Sequence, residues 1–287
     1  MTTRAYAQPV NHAEGPDPMT RVTQHETHKR NPFAVWTRTA RLEPHGGLTA
    51  AYSIPGTVST FHLSTLMEVQ RQAGIVHVHR GLGIPYDHVF VLDLIELRLH
   101  EHVERIPVSG IVNVTVTNSD RGARRRLDQE YTIVTQDGRV AKGRTRARFI
   151  PRPVYERLRQ RNPIGTPDHG DRDLESPEIW HDHPFVIDDT DPILSDHASD
   201  HVSAMSVVCA LERILGATTG EPQLRSLQLE FLHYTELEPR PIIRLQKTEG
   251  DNVAGRLMQD GVGKAAFAGT RVPALAAKVQ EGVADEH

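Results

Sequence analysis

The feature that most constrains the fold is a pattern that occurs twice, a long helix followed by several short strands. Apolar residues recur at helical spacing over 63–80 and again over 202–215. Gly81 and Gly83 are expected to end the first helix, and Gly216 and Gly220 the second. Four strand-like runs follow each helix, at 89–99, 110–117, 127–135 and 139–150 and then at 224–233, 240–247, 253–259 and 264–272. Periodicity alone therefore indicates an α+β protein with two similar halves.

Length and composition divide the chain into five segments. Its 287 residues are enough for two domains of about 120 to 140 residues. We expect a disordered lead over 1–23, a first repeat over 24–150, a linker over 151–183, a second repeat over 184–273 and a tail over 274–287. The linker is dense in Pro, Arg and Asp, and the lead has no apolar segment of the kind found in secretory signals.

Bulk composition indicates a globular protein of a reducing compartment. Apolar residues make up 38% of the chain and charged residues 24%. No run approaches the roughly 18 apolar residues that a membrane span needs. Cys209 is the single cysteine, which excludes an internal disulfide and is compatible with the cytosol. We therefore expect a cytoplasmic protein that does not engage a membrane.

Positive charge is concentrated in one stretch of an otherwise acidic protein. Residues 121–161 hold 13 Lys/Arg against four Asp/Glu, whereas the whole chain has a formal net charge of −4. Such a stretch suggests an anionic partner, either an acidic carrier protein or a phosphorylated substrate. Nucleic acid is not expected, because no recognised nucleic-acid motif accompanies the stretch. Arg144, Arg146 and Arg148 share one face of a strand, which is either a solvated face or a carrier dock.

Three motifs carry the residues with chemical potential. Residues 61–74 read Phe-His-Leu-Ser-Thr-Leu-Met-Glu-Val-Gln-Arg-Gln-Ala-Gly, and residues 83–90 read Gly-Ile-Pro-Tyr-Asp-His-Val-Phe. Residues 195–205 read Ser-Asp-His-Ala-Ser-Asp-His-Val-Ser-Ala-Met at the start of the second repeat. In this order the three motifs resemble those of the A-factor-biosynthesis family. The resemblance extends over roughly residues 24 to 273.

This resemblance implies a fold and a reaction. The fold is a tandem double hotdog, in which two long helices are each wrapped by a curved antiparallel sheet. The reaction condenses a β-ketoacyl group, carried as a thioester on acyl carrier protein or coenzyme A, with dihydroxyacetone phosphate. Its product leads to a butyrolactone or furan-type signal or specialised metabolite. We expect no metal or organic cofactor, and a monomeric pseudo-dimer or a homodimer.

The first motif supplies the main catalytic candidates. Glu68 on the first turns of the helix is expected to take a proton from the attacking hydroxyl, near backbone N–H groups that polarise the thioester carbonyl. Arg71 either orients Glu68 or binds a substrate phosphate. The alternative is a plain surface ion pair between the two. The predicted substrate-binding residues are His62, Gln72, Asp200, His201, Arg144 and Arg146.

The third motif supplies a third catalytic candidate, His197, as a base or substrate-positioning group. His197 and His201 are four residues apart, so a metal pair is a second possibility, and a structural role with Asp200 or His201 capping the helix is a third. Further along, Cys209 and Glu212 stand where the family has a Glu and an Arg. Either the first repeat alone carries the working site or the chemistry differs. Cys209 is a nucleophile or, given its apolar neighbours, a buried inert thiol.

Two other functions suit the same residues. A hotdog dehydratase or thioesterase acting on carrier-bound acyl chains also needs a helix acid, an opposing His and a polarised carbonyl. A non-catalytic acyl- or lactone-binding regulator needs no base. Acyl transfer differs from both in requiring a phosphate-sized basic pocket near Glu68.

Overall fold

The computed structural model describes most of both repeats. The described residues are 18–58, 62–101, 103, 105–119, 126–161, 179–188, 190–191, 193–194, 196, 199–219 and 224–272. His197 and the predicted tail over 274–287 lie outside them, as does most of the predicted lead.

Twelve strands and three α-helices occur in the described part of the chain. The strands are β1 (Thr20–Arg21), β2 (Thr37–Leu42), β3 (Leu48–Ser53), β4 (His88–Leu99), β5 (Ser109–Ser119), β6 (Arg126–Thr135), β7 (Gly138–Pro151), β8 (Trp180–Pro184), β9 (Leu224–Phe231), β10 (Ile242–Gln246), β11 (Asn252–Gln259) and β12 (Val262–Arg271). The helices are α1 (Leu63–Leu82), α2 (Arg152–Arg161) and α3 (Ala204–Thr219).

The strands form one continuous antiparallel sheet with the order β1-β2-β3-β5-β6-β7-β4-β9-β12-β11-β10-β8. The first seven strands in this order belong to the first repeat and the last five to the second. The two repeats join where β4 pairs with β9, with Ile95 opposite Leu229 and Leu97 opposite Leu227. All four of these side chains are buried, so the join is part of the hydrophobic core.

Helix α1 is the central element of the first repeat, and 16 of its 20 residues are buried. A helix that is apolar on one side only would leave its other side in water, whereas α1 contacts β2, β3 and β5 of its own repeat and β9 and α3 of the other. The sheet approaches it closely at Gly143, where a Cβ atom would lie 2.3 Å from Gln70 Oε1. Polar side chains on α1 are therefore held inside the molecule.

The predicted pattern of two helices, each followed by four strands, agrees with the structure. A turn at residues 136–138 joins β6 to β7, and Gly138 has a φ of 121° that favours glycine. Strands β1, β2 and β3 were not predicted. The stretch predicted as a linker contains α2 and also β8, which pairs with β10, so the strands of the second repeat begin before residue 184. Within the described residues, none of the helices has the length and apolar character required to cross a bilayer.

Candidate active site

A buried ionic centre lies on the first turns of α1. Glu68 is 1% exposed, and its Oε1 accepts hydrogen bonds from Arg71 Nη2 and Gln72 Nε2, both at 2.8 Å. Its Oε2 accepts from Arg71 Nε at 2.7 Å. Lys29 Nζ lies 3.1 Å from Oε1 and is also almost fully buried. The Glu68–Arg71 pair is therefore an interior pair with a second cation, and not the surface pair considered above.

The pKa of Glu68 does not suit the role of general base that the sequence predicts for it. Burial alone would raise the pKa of Glu68, but the charges of Arg71 and Lys29 and the hydrogen bonds from Arg71 and Gln72 lower it to about 2. A carboxylate with so low a pKa is a weak proton acceptor, since general bases work best near the operating pH. Glu68 is better suited to hold Lys29 and Arg71 than to deprotonate a hydroxyl.

Gln72 has no hydrogen-bonding capacity left for the predicted substrate contact. Its Oε1 accepts from the backbone N–H groups of Trp36 and Thr37, at 2.8 and 3.1 Å. Its Nε2 donates to the carbonyl oxygen of Ala34 and to Glu68. A side-chain amide has two donors and two acceptor positions, so all are used. Gln72 ties the segment before β2 to α1.

Lys29 reaches the centre from a segment that sequence reasoning left unassigned. The segment is fixed to α1 because Arg80 Nε donates to Glu26 Oε1 at 2.6 Å. Lys29 Nζ also donates to the carbonyl oxygen of Ile193 at 3.3 Å. No motif marks Lys29 in the sequence, because a single lysine among polar residues ordinarily indicates a solvated loop.

The third motif meets the first at this centre. The carboxylate of Asp196 accepts hydrogen bonds from the backbone N–H groups of Arg30, at 3.0 Å, and Asn31, at 2.6 Å. Burial by itself would lower the pKa of Arg71, but the charges of Glu68 and Asp196 raise it. The structure thus brings the residue before His197 next to the Glu68 centre.

A second buried carboxyl, Glu212 of α3, lies at the N-terminus of α1. Its Oε1 accepts a hydrogen bond from the backbone N–H of Ser64 at 3.2 Å, and its Oε2 lies 3.7 Å from His62 Nδ1. Burial raises the pKa of Glu212 to about 7, although hydrogen bonds from Ser64 oppose the rise. Ser64 and Glu68 are four residues apart, so both carboxyls face the same side of α1.

The position of Glu212 changes the expectation for the start of α1. The first N–H groups of the helix were expected to polarise a thioester carbonyl. The N–H of Ser64 is instead satisfied by Glu212.

Cys209 lies one turn before Glu212 on α3 and is a buried free thiol. Burial raises the pKa of Cys209, and the charges of Asp191 and Glu212 raise it further. A thiol that stays protonated is a poor nucleophile. These properties favour the inert alternative for Cys209.

Asp200 and His201 contact a different set of residues from the ionic centre. His201 Nδ1 lies 2.6 Å from Asp200 Oδ1, and the His201 ring stacks 5.0 Å from the ring of Tyr234. Asp200 borders an open cavity of about 520 Å³ that Arg159 and Glu236 also line. Neither residue caps α3.

The helix cap is instead Ser203, whose Oγ accepts from the backbone N–H of Ser206 at 3.1 Å. This corrects the structural alternative proposed for Asp200 and His201. A serine is a favoured residue at this position, because its oxygen satisfies an otherwise unpaired helix N–H.

The arginines of β7 lie on the opposite face of the sheet from α1. Thr145, between Arg144 and Arg146, contacts Gln70 of α1, so its neighbours point away from the helix. Arg146 Nε donates to Asp128 at 2.8 Å. The other two arginines on this face, Arg144 and Arg148, also lie beside acidic residues.

Arg148 Nη2 donates to Asp93 Oδ1 at 2.6 Å, and Arg144 stands opposite Glu96 and Glu130 on the two adjacent strands. Nearby acids therefore offset the charge of the stripe. Arg144 and Arg146 therefore do not lie next to Glu68, and the prediction that they bind the same substrate as Glu68 is not supported.

Comparison with known proteins matches the first repeat to one family model. Residues 61–151 match the model of the A-factor biosynthesis hotdog domain. The matched segment begins one residue before His62 and ends at the last residue of β7, so it includes α1 and the Glu68 centre. No curated protein matches the chain.

Solved structures extend the hotdog fold to both repeats. A 12:0-ACP thioesterase from Umbellularia californica has a TM-score of 0.53 and 12% identity, covering 80% of this chain and 98% of that chain. An acyl-ACP thioesterase from Bacteroides thetaiotaomicron has a TM-score of 0.52 and 12% identity, covering 79% and 98%. An oleoyl thioesterase (putative) from Lactobacillus plantarum has a TM-score of 0.51 and 13% identity, covering 79% and 96%. The tandem double hotdog fold is thereby confirmed.

Proposed function

We propose that this A-factor biosynthesis hotdog protein is a cytoplasmic acyltransferase. It transfers a β-ketoacyl group from a carrier-protein thioester to a hydroxyl of dihydroxyacetone phosphate or a similar phosphorylated acceptor. The product is an acyl ester for a butyrolactone or furan-type signal or specialised metabolite. One observation carries the proposal, the meeting of the first and third motifs around the cations Lys29 and Arg71.

The cationic centre supports a phosphorylated acceptor. Lys29 and Arg71 both contact the carboxylate of Glu68, and the charge of Asp196 also acts on Arg71. Arg71 is 27% exposed, and only its Nε and Nη2 donate to Glu68. A guanidinium has five N–H donors in a planar fork, so Arg71 has donors left for phosphate oxygens. Glu68 holds the fork in place.

The reaction needs one proton transfer and no redox step. The acceptor oxygen bonds to the thioester carbon and loses its proton, and the carbon–sulfur bond breaks to give a carrier thiol. Asp196 of the third motif binds the backbone of residues 30–31. We retain His197, which the sequence predicts, as a positioning or proton-transfer candidate.

The carrier protein docks on α2 in this proposal, since the β7 arginines are matched by acids. Val154 and Leu158 of α2 are exposed and lie one turn apart, with Arg157 on the same face. An apolar stripe beside a cation fits an acidic protein partner that also offers apolar residues. The pairing of β4 with β9 inside one chain supports a monomeric pseudo-dimer.

Hydrolysis of the same thioester is the second candidate. The three solved structures named above are thioesterases, and water replaces the acceptor hydroxyl without any other change in the bonds formed and broken. Dehydration of the acyl chain is a third reaction of the fold. Neither reaction has a use for a phosphate-binding Arg71.

The deciding experiment is mass spectrometry of products from the purified protein, a β-ketoacyl carrier-protein thioester and dihydroxyacetone phosphate. Arg71→Lys keeps the charge but loses the planar fork. Charged hydrogen bonds contribute about 1.5–3 kcal/mol, so we expect the KM for the acceptor to rise roughly 10- to 100-fold. Glu249→Gln, at an exposed turn, is the control.

An acyl-phosphotriose ester whose formation depends on Arg71 would establish acyl transfer. Free acid formed at the same rate in wild type and Arg71→Lys would establish a thioesterase, and loss of water a dehydratase. A thioester that stays unchanged with every acceptor would favour a ligand-binding regulator.

A further inference from the structure

We infer that His62 and Glu212 form a proton-transfer pair across the two repeats, in which His62 meets the reacting hydroxyl and Glu212 sets which ring nitrogen of His62 carries the proton. The inference rests on the proposed function for the identity of the hydroxyl, which is that of the acceptor or of water. Glu212 acts through His62 and is a positioning residue.

The geometry has the arrangement of a histidine–carboxyl pair. Glu212 is 3% exposed and fixed by the N–H of Ser64, and its second oxygen, Oε2, faces His62 Nδ1 at 3.7 Å. His62 is 41% exposed, yet its Nδ1 is buried without a hydrogen-bond partner. The exposed part of the ring is therefore the far edge, which carries Nε2. This edge faces solvent.

The separation of 3.7 Å is longer than a hydrogen bond, which spans about 2.7–3.2 Å for nitrogen and oxygen. Such bonds often tighten only when substrate is bound. Because Glu212 is anchored through its other oxygen, closure requires only a small movement of the half-exposed His62 ring.

The groups around Glu212 set its pKa near neutral, so both of its protonation states are populated near pH 7. The groups that face the pair are Ser64 on α1, Cys209 on α3 and Asp191 on the loop before α3. Burial raises the pKa of Glu212 to about 7, and the negative charge of Asp191 adds to the rise. Burial lowers the pKa of His62, which Asp191 opposes. Near neutral pH the exchangeable proton of the pair therefore belongs to Glu212.

The protonation state of Glu212 then selects the tautomer of His62. Ionised Glu212 accepts a hydrogen bond from Nδ1–H, so Nε2 has a free lone pair and acts as a base. Protonated Glu212 donates to Nδ1, so Nε2 carries the hydrogen and cannot act as a base. Only the first state is competent to start the reaction.

The proton balance closes within one turnover. His62 Nε2 takes the proton of the hydroxyl while the hydroxyl oxygen bonds to the thioester carbon. As the carbon–sulfur bond breaks, the same nitrogen returns the proton to the departing sulfur, which leaves as the carrier thiol. His62 and Glu212 end in their starting states, and no further reactant is consumed.

The first test is the pH profile of kcat/KM for consumption of the carrier thioester, whichever product forms. A group titrating near pH 7 makes the wild-type value rise about tenfold between pH 6 and pH 8. In Glu212→Gln the amide oxygen accepts from Ser64 N–H and the amide NH₂ faces Nδ1. This fixes the inactive tautomer.

We expect Glu212→Gln to lose roughly 100-fold or more of kcat at pH 8, the lower end of what a general base contributes, and to show no rise with pH. His62→Gln, at a half-exposed position, should reproduce the loss without disturbing the core. Glu249→Gln should keep the wild-type profile. A wild-type profile retained by Glu212→Gln or His62→Gln refutes the inference.

The second test does not depend on turnover. In protein labelled with ¹⁵N-histidine, the signals of His62, assigned by their loss in His62→Gln, should change from the Nε2–H tautomer at pH 6 to Nδ1–H at pH 8. Glu212→Gln should abolish the change. A single His62 tautomer across this range overturns the inference. A tautomer change in a protein that consumes no thioester would retain the pair and reject the proposed function.

Discussion

Neutralising Glu68 should destabilise the protein in a manner that depends on pH. Glu68→Gln preserves the size of the side chain and one hydrogen-bonding oxygen but removes the charge that holds Lys29 and Arg71. Lys29 is almost fully buried, so it would be left as a buried cation beside a second cation. Leaving one charge of a buried pair without its partner costs about 3–5 kcal/mol.

The pKa of Glu68 gives a second estimate of the stability that its charge contributes. A pKa of about 2, against 4.5 for an ordinary glutamate, corresponds to about 3 kcal/mol of stabilisation at pH 7. Because the folded-state pKa is lowered, this stability is fully present above pH 4.5 and is lost as the pH falls towards 2. About half of it, roughly 1.5 kcal/mol, should remain at pH 3.

Urea unfolding at pH 7 and pH 3 measures both quantities. With slopes of about 1–3 kcal/mol per molar urea, Glu68→Gln should lower the midpoint by about 1 M or more at pH 7, and by clearly less at pH 3. Glu249→Gln should stay within about 0.5 kcal/mol of wild type. An equal loss for Glu68→Gln at both pH values would show that shape, and not charge, accounts for the effect.

Three other predictions follow from the same geometry. The raised pKa of Glu212 makes the stability of the wild type fall as the pH rises from 4.5 through 7. The free energy of unfolding of Glu212→Gln, measured in urea, should therefore equal that of the wild type at pH 4 and be up to about 3 kcal/mol higher at pH 8. Cys209 should resist iodoacetamide at pH 8 until urea is added, since burial raises the pKa of its thiol; rapid labelling of folded protein would contradict this. Arg157→Glu on α2 should weaken carrier-protein binding about 10-fold or more in calorimetry. Arg38→Glu, at an exposed position of β2 that three strands separate from β7, should not.

The hotdog elements were predictable where period and composition agreed. Helix α1 and strands β4 to β7 have apolar residues at the expected spacing and clear glycine turns. Strands β2 and β3 were missed because alanines occupy their buried positions, such as Ala40 and Ala50, and alanine has a low strand propensity. Strand β8 was missed because its Trp-His-Asp-His-Pro sequence is polar, as suits an edge strand.

The site was predictable only in part, because its partners are distant in the chain. The first motif predicted a contact between Glu68 and Arg71, since residues three apart meet on a helix, and the structure has this contact. The contribution of Lys29 depends on a loop folding back onto α1, and that of Glu212 on the packing of α3 against α1. Neither contact leaves a periodic or local signal in the sequence.

The two buried glutamates differ in protonation because their surroundings shift their pKa values in opposite directions. Glu68 is buried between two cations and stays ionised, so it is a fixed charge that positions Arg71. Glu212 is buried and lies near Asp191, so its charge is costly and its proton is exchangeable near neutral pH. Pairs of carboxyls whose environments separate their pKa values in this way are a mark of acid–base sites. Glu212 of the second repeat thus places an ionisable group at the start of α1 in the first repeat.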